Sequence, residues 1–130
     1  MGLVGIDIER WRPLANCRQL ACHIMTSQEA TIFEGISCEL SARKFLELWT
    51  RKEAVLKCTG LGLHEEPRGL HTSWDEPTVQ FGDLQYYLNA LPVCGQLVGH
   101  LASHDPQQII LRSLPSQLDA WPMCRSADAS

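Results

Sequence analysis

Leu48–Lys57, with the sequence LWTRKEAVLK, is the stretch that decides how this 130-residue chain folds. Together with the residues before it, its apolar positions recur at steps of three and four, which is the period of an α-helix. We therefore predict one helix from about Leu40 to Cys58, ended by the glycines at positions 60 and 62. Ser37 or Ser41 could cap its N-terminus, and the sequence does not choose between them.

The chain before this helix predicts one strand and one short helix. Leu3–Ile8 (LVGIDI) is rich in aliphatic and β-branched residues, so we predict a buried strand that ends at Arg12-Pro13. The segment Thr26–Glu29 has the T-x-x-E form of a capping box, which predicts a short helix from position 27 to about Glu34.

The chain after the central helix predicts strands. They are expected at Thr78–Phe81, Gln96–Ala102 and Gln107–Leu114, with the turn residues His104-Asp105-Pro106 joining the last two as a hairpin. The predicted class is α+β, a small antiparallel sheet packed against a long central helix. We expect one domain over residues 1–114 and a flexible C-terminal tail over residues 115–130.

The composition is that of an ordinary globular domain and excludes several classes of protein. The formal net charge of −4 argues against a general nucleic-acid binder. The N-terminus shows no signal-peptide pattern, and no apolar run approaches the roughly 18 residues of a membrane span. The six cysteines form no CxxC pair, so we expect reduced thiols and a cytoplasmic protein.

Three carboxylates can converge if the central helix packs across the first strand. Asp7 and Glu9 are two residues apart on that strand, so both point to one face. Trp49, Glu53 and Lys57 follow each other at steps of four and form one stripe of the helix. Converging carboxylates would repel one another unless a cation lay among them, and Mg²⁺ prefers oxygen ligands and phosphates. The residues alone leave a second interpretation open, namely two solvated faces with an ordinary surface ion pair.

Two motifs in combination carry a resemblance to a known family. VGIDIE at Val4–Glu9, WTRKEAVLK at Trp49–Lys57 and GLGL at Gly60–Leu63 resemble the signature of the 4′-phosphopantetheinyl transferases, which is a G-[IV]-D strand followed by a W-[ST]-x-K-E-[AS]-x-x-K helix. The resemblance covers residues 3–63. It continues weakly through QLVGHLASHDPQQIILRSL, which is similar to the closing strands of the surfactin-type enzymes.

The resemblance implies an activity, a cofactor and partners. Members of this family move the 4′-phosphopantetheine arm of coenzyme A onto a serine of an apo acyl or peptidyl carrier protein and release adenosine 3′,5′-bisphosphate. Mg²⁺ is the expected cofactor and coenzyme A the co-substrate. Neither a nucleic acid nor a membrane is expected as a partner.

The resemblance also implies a role for each motif residue. Asp7, Glu9 and Glu53 are expected to hold Mg²⁺ on the pyrophosphate of coenzyme A. Glu53 is also expected to take the proton from the attacking serine, directly or through a water. Lys57 is expected to offset charge on the pyrophosphate and assist the leaving group, and Lys52 to contact phosphate.

Other residues of these segments are given structural roles. Trp49 is expected to pack and position the helix. Ser103-His104 matches a phosphate-contacting pair of the family, but the Asp105-Pro106 that follows favours a hairpin turn. The remaining histidines show no metal-like spacing and are assigned no role; they are His23, His64, His71 and His100.

The length of the chain bears on its assembly. Surfactin-type enzymes resemble two copies of this unit in one chain, whereas holo-acyl-carrier-protein synthases are single units that assemble as trimers. We expect a homo-oligomer, a dimer or trimer, in which a neighbour replaces the missing half. The alternatives are a half-enzyme fragment, a catalytically silent module that binds a carrier protein through the cationic Arg43–Lys52 face, and a generic Mg²⁺-dependent phosphohydrolase.

Overall fold

The computed structural model describes residues 3–60, 66–93 and 95–106. The elements in chain order are β1 (Val4–Arg10), α1 (Cys17–Ile24), α2 (Ser27–Glu34), α3 (Cys38–Thr59), a 3₁₀ helix (Pro67–Gly69), β2 (Thr78–Phe81), β3 (Leu84–Ala90) and β4 (Leu97–Ser103). The strands form one antiparallel sheet in the order β1-β4-β3-β2. The predicted α+β class with its long central helix is therefore confirmed.

Helix α3 has distinct signals at its two ends. Ser37 is the N-cap residue, with an extended backbone, although its side chain makes no capping hydrogen bond. Ser41 lies inside the helix, where its buried hydroxyl donates to the Cys38 carbonyl at 3.0 Å. At the other end Gly60 adopts a left-handed conformation with φ of 74°, which glycine adopts without steric cost. The choice between the two serines is thus made in favour of Ser37.

The capping box of α2 is confirmed in both of its bonds. The Thr26 backbone N–H donates to Glu29 Oε1 at 2.8 Å, and the Glu29 N–H donates to Thr26 Oγ1 at 3.3 Å. These reciprocal bonds satisfy two donors that a helix N-terminus leaves free. The helix runs over the predicted residues.

The prediction that β1 is a buried strand is wrong for one of its two faces. Gly5 and Asp7 are buried, but Val4, Ile6 and Ile8 are 50%, 45% and 46% exposed. The physical reason is that side chains alternate across a strand, and α3 covers only the face that carries Gly5 and Asp7. A continuous apolar run cannot show which face lacks a covering element.

Two apolar clusters hold the elements together, one along each half of α3. The C-terminal half of α3 packs on the inner face of the sheet, through residues such as Val55, Tyr86 and Ala102. The N-terminal half packs against α1 and α2, through residues such as Ala21, Phe33 and Phe45. Helix α1 and strand β3 were not predicted from the sequence.

Other expectations fall on residues outside the described part. They are the strand Gln107–Leu114 with its hairpin, the tail over residues 115–130, and the second glycine after the helix, at position 62. Among the residues that are described, Thr78–Phe81 is a strand as predicted, and β4 covers most of Gln96–Ala102. None of the described helices is long and apolar enough to cross a membrane.

Candidate functional site

The strand motif and the helix motif meet through an ion pair. The Lys57 ammonium lies 2.7 Å from Asp7 Oδ1 and also donates to the Ile6 carbonyl at 3.2 Å. Asp7 is buried, whereas half of the Lys57 side chain is exposed. Lys57, the basic residue of the Trp49–Glu53–Lys57 stripe on α3, therefore contacts the strand that carries Asp7 and Glu9.

Asp7 keeps an acceptor without a partner. Its second oxygen, Oδ2, is buried and makes no hydrogen bond among the described residues. A buried carboxylate oxygen without a donor costs free energy, so this atom is suited to a cation or a donor that is not part of the described chain.

Glu9 is oriented by the helix. The indole Nε1 of Trp49 donates to Glu9 Oε1 at 3.2 Å, and Trp49 itself packs on the apolar cluster beneath α1. Trp49 therefore orients the Glu9 carboxylate in addition to packing in the core. The sequence predicted only the packing role.

Glu53 lies in the electrostatic field of the other charged residues. Burial raises the pKa of Glu53, and the negative charge of Asp7 raises it further. Lys57 lowers the same pKa, and Glu9 adds a smaller rise. The three predicted carboxylates are therefore electrostatic neighbours, with Lys57 as the opposing positive charge.

The donor set suits a hydrated Mg²⁺ ion in its chemistry. All three side chains offer carboxylate oxygens, and Asp7 Oδ2 is an unpartnered one. In the part of the chain that is described, however, no three His, Cys, Asp or Glu side chains lie close enough together to hold a metal ion. Mg²⁺ typically keeps several waters and uses one or two protein carboxylates, so the residues fit such an ion without forming a closed cage.

Lys52 does not join this group. Its side chain is fully buried, and its ammonium contacts Glu29 Oε1 at 2.6 Å and the Ile24 and Pro67 carbonyls at 2.6 and 2.9 Å. Burial lowers the pKa of Lys52, and the hydrogen bond to Glu29 opposes that change. With its ammonium engaged inside the protein, the predicted phosphate contact of Lys52 has no support in the structure.

An apolar cavity of about 300 Å³ opens beside Glu9. Its walls come from the end of β1, the segment that follows it, α1 and α3. The polar lining residues are Glu9, Arg12 and His23, and the others are Leu14, Leu20, Ile24, Phe45, Leu46 and Trp49. The cavity therefore gives Glu9 a largely apolar surrounding on one side.

His100 is a neighbour of the site that the sequence did not indicate. It lies opposite Asp7 in the pairing of β1 with β4, and its Nδ1 lies 2.8 Å from Thr50 Oγ1. Burial, with the charge of Arg51 as a smaller cause, lowers the pKa of His100 to about 4, so the ring is uncharged near neutral pH. Only the strand register brings it beside Asp7.

Ser103 and His104 behave as turn residues. Ser103 ends β4 and its hydroxyl donates to the Asp105 carbonyl at 2.6 Å. The His104 ring lies 4.9 Å from the Tyr86 ring, centroid to centroid. These contacts favour the turn interpretation over a phosphate-binding one.

Comparisons with known proteins show which family the chain belongs to. The family model of the 4′-phosphopantetheinyl transferase superfamily matches residues 3–108. The chain is 39% identical over 59 residues to the 4′-phosphopantetheinyl transferase AcpT of Escherichia coli K12 and 41% identical over 59 residues to AcpT of Salmonella typhi. It is 35% identical over 60 residues to the 4′-phosphopantetheinyl transferase HetI of Nostoc.

Coverage differs between the two chains in each comparison. Each match spans 45% or 46% of this chain but only 30%, 31% and 25% of AcpT from the two species and HetI, respectively. The crystal structure of the Thermotoga maritima holo-[acyl-carrier-protein] synthase has the same fold, with a TM-score of 0.54 and 15% identity, over 80% of this chain and 63% of that one.

The strand and the helix that carry Asp7, Glu9 and Glu53 therefore belong to a fold that also occurs in an acyl-carrier-protein synthase. The chain belongs to the 4′-phosphopantetheinyl transferase superfamily.

Proposed function

We propose that this chain forms the catalytic unit of a Mg²⁺-dependent phosphopantetheinyl transferase. It would transfer the 4′-phosphopantetheine group from coenzyme A to a serine of an apo acyl or peptidyl carrier protein. The observation that carries the proposal is the contact between the two motifs, in which Lys57 of the helix forms an ion pair with Asp7 of the strand. The negative charges of Asp7 and Glu9 also raise the pKa of Glu53.

In the proposed reaction the carrier serine attacks the pantetheine-side phosphorus of the pyrophosphate. The bond from that phosphorus to the bridging oxygen breaks, and adenosine 3′,5′-bisphosphate leaves. Glu53 accepts the serine proton, directly or through a water, a role that its raised pKa favours. Lys57 offsets negative charge on the departing phosphate.

Asp7, Glu9 and Glu53 are the residues that would hold Mg²⁺, one or two of them directly and the rest through its waters, because the three side chains do not lie close enough together to form a complete metal site in the described chain. The bound ion would neutralise charge on the pyrophosphate. Trp49 orients Glu9 for this purpose. Lys52 is left out of the binding set because its ammonium is engaged with Glu29.

We further propose that the active form is a homo-oligomer, a dimer or trimer, working in the cytoplasm. The support is the outer face of β1, where Val4, Ile6 and Ile8 are all about half exposed, since an exposed apolar face of a sheet favours association. A neighbouring copy would then supply the contacts to the rest of coenzyme A.

The test is transfer itself, read as the intact mass of an apo carrier protein after incubation with coenzyme A and Mg²⁺. We expect a gain equal to the phosphopantetheine arm, and no gain when Mg²⁺ is chelated. Glu53→Gln should lower kcat by at least about 100-fold, because it removes the proton acceptor. Glu39→Gln, an exposed carboxylate in the first turn of the same helix, is the matched control and should transfer normally.

Three outcomes would contradict the proposal. Wild-type transfer by Glu53→Gln would remove Glu53 from the chemistry. A folded wild-type chain that binds carrier protein but transfers nothing in any oligomeric state would instead support the silent binding module. Hydrolysis of simple phosphate esters without carrier protein would favour a phosphohydrolase.

A further inference from the structure

We propose that Lys52 and Glu29 form a buried positioning pair that fixes the turn of α3 carrying Glu53, and that Lys52 is not a phosphate ligand. The inference rests on the proposed function for its effect on the reaction, but its structural part can be tested independently. The pair lies outside the carboxylate site, and the proposed reaction does not use it.

The Lys52 ammonium has all of its hydrogen-bonding capacity used inside the protein. It has three donors, and three acceptors surround it: Glu29 Oε1 and the carbonyls of Ile24 and Pro67. These acceptors come from α2, from the end of α1 and from the 3₁₀ helix. A single side chain of α3 therefore ties three other elements to the helix.

Glu29 is satisfied to the same degree. Besides Lys52, its Oε1 accepts the Thr26 N–H at 2.8 Å, and its Oε2 accepts the Thr72 N–H at 2.7 Å. His71 Nδ1 lies 3.5 Å from the same Oε2. Glu29 is 1% exposed, so the pair is buried, and the polar atoms of both side chains have hydrogen-bond partners.

A second anchor completes the network around the same helix turn. Arg51 donates to Thr72 Oγ1 at 3.0 and 3.3 Å and to the Glu76 carbonyl. Thr72 therefore links Arg51, through its hydroxyl, to Glu29, through its N–H. Two consecutive residues of α3 are held by one connected set of hydrogen bonds.

The position of Glu53 follows from these anchors. Residues 51, 52 and 53 point in directions about 100° apart on a helix with 3.6 residues per turn. Arg51 and Lys52 hold two of these directions, so the turn cannot rotate about the helix axis without breaking buried charged hydrogen bonds. The third direction carries Glu53 towards β1, where Asp7 and Glu9 influence its pKa. Rotation would move the Glu53 carboxylate, and misplacement by about 1 Å can cost about 100-fold in rate.

The test compares a charge-neutral pair with the wild type. Lys52→Met with Glu29→Gln removes both charges, keeps similar side-chain lengths, and leaves no buried charge without a partner. Lys52→Met alone is the harsher variant, because it leaves Glu29 buried without its cation. Glu34→Gln is the matched control, an exposed carboxylate on the same helix as Glu29.

Three measurements are made on each folded variant: kcat for transfer, the Kd of coenzyme A, and hydrogen exchange of the backbone amides over residues 51–57. For the double variant we expect kcat to fall by about 10- to 100-fold, an unchanged Kd, and faster exchange in that segment. The control should match the wild type in all three.

Two results would overturn the inference. A double variant with wild-type kcat and wild-type exchange would show that the pair only supports folding. A weaker Kd for coenzyme A with unchanged exchange would make Lys52 a phosphate ligand after all. If the wild type transfers nothing to any carrier protein, the proposed function fails, and the exchange comparison still decides whether the pair holds the Glu53 turn.

Discussion

Lys52 and Lys57 belong to the same motif and the same helix, but their side chains have different surroundings. Lys52 is 0% exposed and its ammonium contacts Glu29 and two carbonyls, whereas the Lys57 side chain is 51% exposed and contacts Asp7. The half-exposed ammonium can still approach a bound anion, because water and ligand reach it. The buried one can do so only by breaking its ion pair with Glu29, and leaving a buried charge without its partner typically costs about 3–5 kcal/mol.

Trp49 provides a prediction at the residue scale. Trp49→Phe keeps an aromatic ring in the cluster but removes the donor to Glu9 Oε1. Because side chains that orient metal ligands typically contribute 10- to 100-fold in affinity or activity, we expect about a tenfold rise in the Mg²⁺ concentration needed for half-maximal transfer. The measurement is a Mg²⁺ titration of the transfer rate.

The control for this prediction is another tryptophan. Trp74→Phe loses a comparable hydrogen bond, from its Nε1 to the Lys44 carbonyl at 2.7 Å, away from the carboxylates. It should leave the Mg²⁺ titration unchanged. Equal effects from both variants would mean that the Trp49 contact to Glu9 has no special role.

At the scale of elements, the approach of α3 to β1 depends on a glycine. A Cβ at Gly5 would lie 2.0 Å from the Ala54 carbonyl oxygen and 2.5 Å from the Cys58 backbone nitrogen. Both are backbone atoms of α3, so the clash cannot be relieved by moving a side chain. The absence of a side chain at Gly5 is therefore what allows the helix to lie on the strand that carries Asp7.

Gly5→Ala should destabilise the protein and separate these elements. Overpacking typically costs about 1–3 kcal/mol, and backbone contacts this short place the expected loss in the free energy of unfolding at the upper end. Urea unfolding measures it, with Gly69→Ala as the control because nothing lies within 4 Å of a Cβ there. A stability equal to the wild type would mean that α3 can move away without loss.

At the scale of the whole molecule, the outer face of β1 is apolar and exposed. Val4, Ile6 and Ile8 are all about half exposed on the face away from α3, and an exposed apolar face of a sheet favours association. The proposed homo-oligomer would cover such a face with a second copy of the chain.

Ile6→Glu should therefore shift the chain towards the monomer, because a charge would have to be buried on association. Light scattering coupled to size-exclusion chromatography measures the mass over a range of protein concentrations. Ile32→Glu is the matched control, since Ile32 on α2 is also an exposed isoleucine, at 55%. A wild type that is monomeric at every concentration and still transfers would show that one copy suffices.

Local patterns in the sequence were enough for several elements. The capping box placed α2 at its observed residues, and Gly60 ends α3 as predicted, because both signals act through hydrogen bonds or backbone angles of adjacent residues. The apolar period placed the long helix within about two residues at its N-terminal end. The buried state predicted for β1 was half wrong, since the covering of each face depends on distant elements.

In the candidate site, too, local sequence patterns predicted some features and the packing of distant elements decided the others. The sequence by itself determined the strand, the helix, and the spacing that puts Asp7 with Glu9 and Glu53 with Lys57, because these follow from the periods of 2 and 3.6 residues. Only the tertiary structure decided that Lys57 reaches Asp7, that Trp49 holds Glu9, and that His100 lies beside Asp7. It also decided that Lys52 is buried on Glu29, 23 positions earlier in the chain. The reason is that a side chain's charge is written in the sequence, whereas its burial and partners depend on which distant elements pack around it.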